Sequence, residues 1–397
     1  MAELKLREII LNTRKPLVFR SFRNTWKCFE DTLNTWCARF DESASELCAF
    51  ERMSRKHWNA PQWEFHRTKV QMSCLDFLKH CNSAEESSTA WCGLNYKRAE
   101  EIPTECKDGV NFAYLGFPQL GEEGTFWLSS NGANTPCHYD TYGCNIVRQI
   151  FGRKSWLLFP PSTQLRKTRI PYEESSVYCL ENFYSPKLEE IEDLMRFEEN
   201  AYRCVLEPGD VLIVPRHWWH YVESIETSLS VNGWIPLECD LEARIEECIV
   251  NFIMHRIAAN ETDAVKRYML NPNELEQIID DTDLCAILQY LINAREQHPP
   301  SKLCQQKYPY QYLDEESVDE MLKDFPTIAA VERLKSADFK ELLKANSKRY
   351  DSDLIHCDNS TTNFLKDALV NAICCPDVIK LIKMRFVKTI EKENKIN

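Results

Sequence analysis

Between Asn134 and Asn232 the apolar positions fall in short runs separated by turn residues, a pattern of strands rather than of helices. Asn145-Ile146-Val147-Arg148-Gln149-Ile150-Phe151 leads into Gly152, and Ser155-Trp156-Leu157-Leu158-Phe159 stops at Pro160-Pro161, so two strands joined by a turn are predicted. Glu207-Pro208-Gly209-Asp210 is a turn signal feeding a strand from Val211 to Pro215, and Ser228 to Asn232 forms another. The succession reads as a small antiparallel barrel.

Outside this region the period changes. Trp26, Phe29, Leu33, Trp36 and Phe40 recur at steps of three or four, which predicts an amphipathic helix from Thr25 to Phe40. Leu17-Val18-Phe19 carries a short strand signal. After Pro236, Leu241, Ile245, Ile249, Ile253 and Ile257 recur every four residues, and further helical stretches are expected over 274–295, 318–322, 329–343 and 363–390. The expected class is α+β with a mainly β core. Residues 1–109 form a helical and strand flank, 110–237 the barrel, and 238–397 a helical domain. A polar, proline-bearing stretch from Gln164 to Arg203 interrupts the barrel. It suits a lid or substrate-binding loop, with Tyr172, Glu173 and Glu174 near the mouth, and equally an ordinary surface loop.

Composition narrows the function. With 397 residues, 44% of them hydrophobic, the chain has material for a barrel core and a second domain. Its formal net charge of −13, with no basic stripe to offset it, argues against a nucleic-acid partner. The N-terminal residues lack a signal-peptide core and no apolar run is long enough to span a bilayer, so a cytoplasmic protein is expected, with the nucleus also open. The 18 cysteines are scattered, without a Cys-x-x-Cys pair, which fits reduced thiols better than a zinc ribbon.

The candidate chemistry lies in Asn134-Thr135-Pro136-Cys137-His138-Tyr139-Asp140 and Pro215-Arg216-His217-Trp218-Trp219-His220. His138 and Asp140 are two apart, so on a strand both project from one face toward a common metal ion. A third ligand arrives from the second segment, His220 ahead of its rival His217. Two histidines and one carboxylate on one face leave coordination positions open, as Fe(II) needs when a chelating cosubstrate and dioxygen must also bind. The bland alternative is a surface hydrogen-bonded pair.

At these residues the chain resembles the JmjC (cupin-type) family of Fe(II)- and 2-oxoglutarate-dependent oxygenases, in the branch that includes an asparaginyl hydroxylase acting on hypoxia-inducible factor. Ala133 to His138, Tyr142-Gly143-Cys144-Asn145, Arg169 to Val177 and Arg216 to Ser224 are similar to the heat-shock-protein-beta-1-associated protein 1 family. The resemblance implies a double-stranded β-helix (jelly-roll barrel), iron on His138, Asp140 and His220, and 2-oxoglutarate held partly by Lys154. A dicarboxylate needs a cation, which Lys154 supplies, and Thr135 adds a hydroxyl donor. By analogy Asn145 and Asn232 line the same cavity, bonding the cosubstrate or orienting ligands. Each has an ordinary alternative: a solvated lysine, a hydroxyl bonded to backbone, strand-end amides.

The resemblance thus implies a dioxygenase, with protein side-chain hydroxylation the first expectation, lysine demethylation the second and hydroxylation of a transfer-RNA base the third. A catalytically silent scaffold that binds a small heat-shock protein is the reading from another class. The resemblance also suggests a homodimer through the C-terminal helices, while an intramolecular bundle explains the same apolar stripe.

Overall fold

The computed structural model describes residues 2–22, 26–54, 67–120, 123–270, 280–299, 311–349 and 361–393. Its strands, in chain order, are β1 (Leu17–Phe19), β2 (Cys48–Ser54), β3 (Thr68–Met72), β4 (Ala90–Arg98), β5 (Thr125–Ser129) and β6 (Asn134–Asp140). They continue with β7 (Cys144–Phe151), β8 (Lys154–Phe159), β9 (Lys167–Thr168), β10 (Ser176–Cys179) and β11 (Tyr202–Leu206). The last are β12 (Val211–Val214), β13 (Trp219–Ser224), β14 (Ser228–Ile235) and β15 (Ile328–Ala330).

Among the described residues these make a major sheet ordered β15-β1-β12-β7-β14-β5-β4-β2-β3 and a minor sheet ordered β11-β8-β13-β6-β10-β9. All their pairings are antiparallel. The antiparallel barrel read from the turn spacing is therefore present, in the two-sheet form that the resemblance implies, and alternation along each strand assigns its faces. Val147, Trp156, Leu158, Leu212, Val214 and Val222 pack between the sheets. Ile146, Ile150, Leu229 and Val231, their strand neighbours, face outward into a core shared with the N-terminal helix Ala2–Asn12 and with Trp26, Trp36 and Phe77. The outer face of the minor sheet, with Tyr139, Leu157, Phe159 and Trp219, is covered by Phe183 and Leu194 of the 164–203 stretch and by Phe339 and Leu343. At Gly152 the β7–β8 turn runs so close to the chain that a Cβ would lie 2.0 Å from the Thr227 carbonyl oxygen, with φ at +59°. Only glycine fits there.

Three expectations are corrected. The helix predicted from Thr25 to Phe40 is broken: a 3-10 turn spans Lys27–Phe29, and the α-helix begins at Leu33, where the Thr32 hydroxyl accepts the Thr35 N–H at 3.1 Å. Thr25 itself lies outside the described residues. Steps of three or four are shared by a 3-10 turn and an α-helix, and the N-cap decides between them. Residues 329–343 do not form one helix. Ile328–Ala330 is a strand that pairs with β1, and the helix is Ser336–Ser347. Tyr172 is not at the mouth: it is buried, and its hydroxyl donates to the Glu247 carbonyl at 3.0 Å.

The helix expected over 274–295 is Asp281–Gln297, with its predicted start outside the described residues. The long helix predicted from the four-residue repeat is Asp240–Ala258. It packs with Leu284, Ile292, Val370 and Ile379 in a further apolar cluster that also takes in Ile170 and Tyr172. The 164–203 stretch is thus partly sheet, through β9 and β10, and partly wedged against that helix. No helix among the described residues is long and apolar enough to cross a membrane.

Candidate metal centre

β6 and β13 lie side by side, and in their register His138 is the direct partner of His220. Cross-strand partners project to the same face, and the two imidazole centroids are 4.2 Å apart. Asp140, two residues along β6, joins them, with its Oδ1 3.7 Å from His138 Nε2 and 3.9 Å from His220 Nε2. All three side chains are buried, and their donor atoms lie within 4.8 Å of one another. His217 is turned to the opposite face of β6, its ring 4.9 Å from that of Tyr139.

The surroundings fix which atoms converge. His138 Nδ1 bonds the Pro136 carbonyl at 2.7 Å and His220 Nδ1 bonds the Trp218 carbonyl at 2.9 Å. A carbonyl can only accept, so each Nδ1 carries the hydrogen and each Nε2 turns a lone pair inward. Burial, and then the neighbouring His220, hold His138 down to about 4, so its imidazole is neutral at neutral pH. Asp140 Oδ2 accepts from Asn145 Nδ2 at 3.2 Å and from Trp234 Nε1 at 3.0 Å, leaving Oδ1 to face the histidines. This donor set fits a divalent metal ion: two imidazole Nε2 atoms and one carboxylate oxygen, each held from behind.

Asn145 and Asn232 belong to a directed chain. Trp127 Nε1 donates to Asn232 Oδ1 at 2.8 Å, Asn232 Nδ2 donates to Asn145 Oδ1 at 3.0 Å, and Asn145 then donates to Asp140. Here the two amides orient the carboxylate. Thr135 shares the inner face although it is three residues from His138, because the pairing runs Val222 to Thr135 and then His220 to His138. The extra β6 residue is a bulge that re-aims the side chain. Lys154 is buried, donates to Ser230 Oγ at 2.9 Å, and pairs with no carboxylate among the described residues. Burial pushes its ammonium down to about 7.

Thr135, His138, Asp140, Asn145, Lys154, His220 and Asn232 all line one cavity of about 770 Å³. Glu173 also lines it, whereas Glu174 accepts the Tyr142 hydroxyl at 2.9 Å. Sequence reasoning missed Ser230, Trp234 and Trp127 in the same wall, and weighed Tyr96 and Tyr114 as hydroxyl donors but set them aside as packing residues; Tyr96 lines the cavity. Ser230 and Trp234 carried a usable signal, since they flank Asn232 at two-residue steps on one strand face. Trp127 did not, and the placing of Tyr96 depends on a break in register between Leu94 and Lys97, with φ at +55°, which stands its ring 4.5 Å from that of Trp127.

A buried two-histidine, one-carboxylate cluster between the two sheets of an antiparallel barrel is a candidate metal centre in a cupin-type fold. Residues 3–238 match the cupin-like domain, and the chain belongs to that family, in its JmjC-type branch. It is similar to human HSPB1-associated protein 1, with 36% identity over 299 residues, 71% of this chain and 60% of that protein. The zebrafish homolog is 34% identical over 286 residues, covering 68% of this chain and 62% of the relative. Lysine-specific demethylase JMJ30 of Arabidopsis thaliana is 34% identical over 139 residues, covering 34% and 32%. The chain thus spans about three fifths of the length of its HSPB1-associated relatives.

Proposed function

We propose that this chain is an Fe(II)- and 2-oxoglutarate-dependent dioxygenase that hydroxylates a protein side chain. The observation that carries this reading is the combination, in one cavity, of three converging ligand atoms with a buried cation that meets no carboxylate among the described residues. His138, Asp140 and His220 would hold the iron on one face, leaving its other face to the cavity. Lys154 would take the far carboxylate of the cosubstrate, with the Thr135 hydroxyl beside it. When bound, the Fe(II) and 2-oxoglutarate pair supplies the oxidising chemistry, dioxygen reduction coupled to decarboxylation and insertion of oxygen into a C–H bond.

The protein's own contribution is positional. The carbonyls of Pro136 and Trp218 keep both imidazoles in the tautomer that ligates, and Asn145 with Trp234 keeps Asp140 from rotating. Val147, Trp156 and Val222 line the inner wall and keep it dry. No side chain is needed as a general base. A cavity of about 770 Å³ leaves room for a substrate group beside a five-carbon dicarboxylate.

Lysine demethylation uses the same cofactors and is favoured by the name of the Arabidopsis relative. A silent scaffold for a small heat-shock protein is favoured by the names of the others. An anaerobic spectrum with Fe(II), before and after 2-oxoglutarate, separates enzyme from scaffold. The expected result is a weak visible charge-transfer band in the wild type that vanishes in Asp140→Ala, and folded wild type without the band moves the scaffold forward. Hydroxylation and demethylation then part on products, since only the latter releases formaldehyde.

A further inference from the structure

The helix Asp240–Ala258 follows the barrel and supplies none of the three candidate ligands, yet its first residue reaches back to turns beside two of them. The Asp240 carboxylate accepts the Gly143 N–H at 3.1 and 3.2 Å through its two oxygens, and the Leu237 N–H at 2.8 Å. Gly143 closes the turn that leaves β6 immediately after Asp140. The same carboxylate lies 3.7 Å from Arg216 Nε. Arg216, four residues before His220, donates in turn to the Thr141 carbonyl at 3.2 Å. Both charged side chains are nine-tenths or so buried.

Two turns are involved, and each leads directly to one ligand strand. One joins Asp140 to β7, the other joins β12 to the strand of His220. Gly143 sits at φ +68° with the Trp234 Cβ and Ile235 carbonyl close by. A carboxylate that bonds one turn and faces the cation of the other ties their separation to a rigid helix. The Leu237 bond is local to the chain entering the helix, whose N-cap residue Cys239 makes no side-chain capping bond, and it does not call for Gly143 or Arg216.

We infer that Asp240 and Arg216 form a clamp that sets the spacing of Asp140 and His220, making the post-barrel helix a working part of the metal centre. Asp240 acts through the ligands and is a positioning residue. The inference rests on the proposed metal site. Its consequence is that metal affinity depends on a residue outside the barrel strands.

The test uses the full chain and Co(II) as the probe, read by its d–d absorption in a titration, with thermal unfolding followed in parallel. Asp240→Asn keeps an acceptor but loses the charge and one equivalent oxygen, and a drop of about tenfold to a hundredfold in Co(II) affinity is expected. Arg216→Gln, which leaves the helix N-terminus untouched, should shift affinity in the same direction and serves if Asp240→Asn does not fold. Asp210 is the control, a buried carboxylate that accepts the Glu207 and Ser21 N–H groups at the opposite end of β12 from the Arg216 turn. Asp210→Asn should lower the melting temperature with Co(II) affinity unchanged. Wild-type affinity in both Asp240→Asn and Arg216→Gln would overturn the clamp while leaving the metal site standing. Wild type that binds no Co(II) would overturn the site and the clamp together.

Discussion

Two of the buried cations of the barrel lie on consecutive strands of opposite sheets, and they are treated in opposite ways. Arg148, on β7, projects outward into the N-terminal flank, where its guanidinium stacks 4.6 Å from the centroids of both Trp26 and Phe29 and donates to the Phe22 carbonyl and the Tyr114 hydroxyl. Lys154, on β8, projects inward, where one hydroxyl meets it and the rest of its donor capacity faces the cavity. Neither has a carboxylate among the described residues. The difference lies in what surrounds them: aromatic faces, a backbone oxygen and a hydroxyl pack closely around Arg148, although its Nε meets no acceptor, while Lys154 borders a cavity with room for an anion. A buried charge is therefore informative about function only when its partners have been counted.

The comparison is broken most directly at Arg148. Arg148→Ala leaves a cavity and two acceptors without a donor, and should cost about 3 kcal/mol or more of stability by denaturant unfolding. The charge-transfer band of the folded fraction should persist. Lys154→Met should do the reverse. With no buried ammonium to desolvate, unfolding stability holds or rises, while 2-oxoglutarate affinity falls by about a hundredfold, the value of a charge-assisted hydrogen bond. A loss of stability without a loss of affinity would make Lys154 another structural cation.

Titration sharpens the contrast, because Lys154 is held down to about 7 against an ordinary 10.5. Between those values the unfolded chain keeps a proton that the folded chain has released, so stability of the ligand-free protein should rise with pH across that window. In Lys154→Met this contribution should be absent. Cosubstrate binding has the opposite sign: the carboxylate selects the ammonium form, so affinity should fall by about tenfold per pH unit above 7. The smallest effect is expected at Trp234. Trp234→Phe removes one of two donors to Asp140 Oδ2 and should weaken Co(II) binding by about tenfold, with the band position shifted but not lost.

Much of this centre was legible in the sequence, for stated reasons. A two-residue step places His138 and Asp140 on one face of any strand, and neighbouring turn signals declared the strand. That His220 rather than His217 faces them depends on the register of β13 against β6, which the spacing alone left open. The cage around Arg148 was hidden entirely, since Phe22, Trp26, Phe29 and Tyr114 are brought to it by folding, and the spacing of Trp26 and Phe29 suggested a plain amphipathic helix. The Asn232 to Asn145 to Asp140 chain was half visible. The amides were identifiable as cavity residues, but which acceptors they meet is decided by neighbouring strands 87 residues apart. β15 left no trace in the pattern because three residues completing a sheet edge carry no period at all.

That short strand governs how the protein can be cut. The family match ends at residue 238, which invites a shortened version carrying the barrel alone. Such a piece would strip β15 from β1, uncover the bed of Phe339 and Leu343, and leave an unpaired run of backbone donors and acceptors along Leu17–Phe19. An edge of that kind recruits other strands. The truncated barrel would therefore be expected to aggregate during preparation, and inactivity in such a sample would report on its solubility and not on the chemistry of the intact chain.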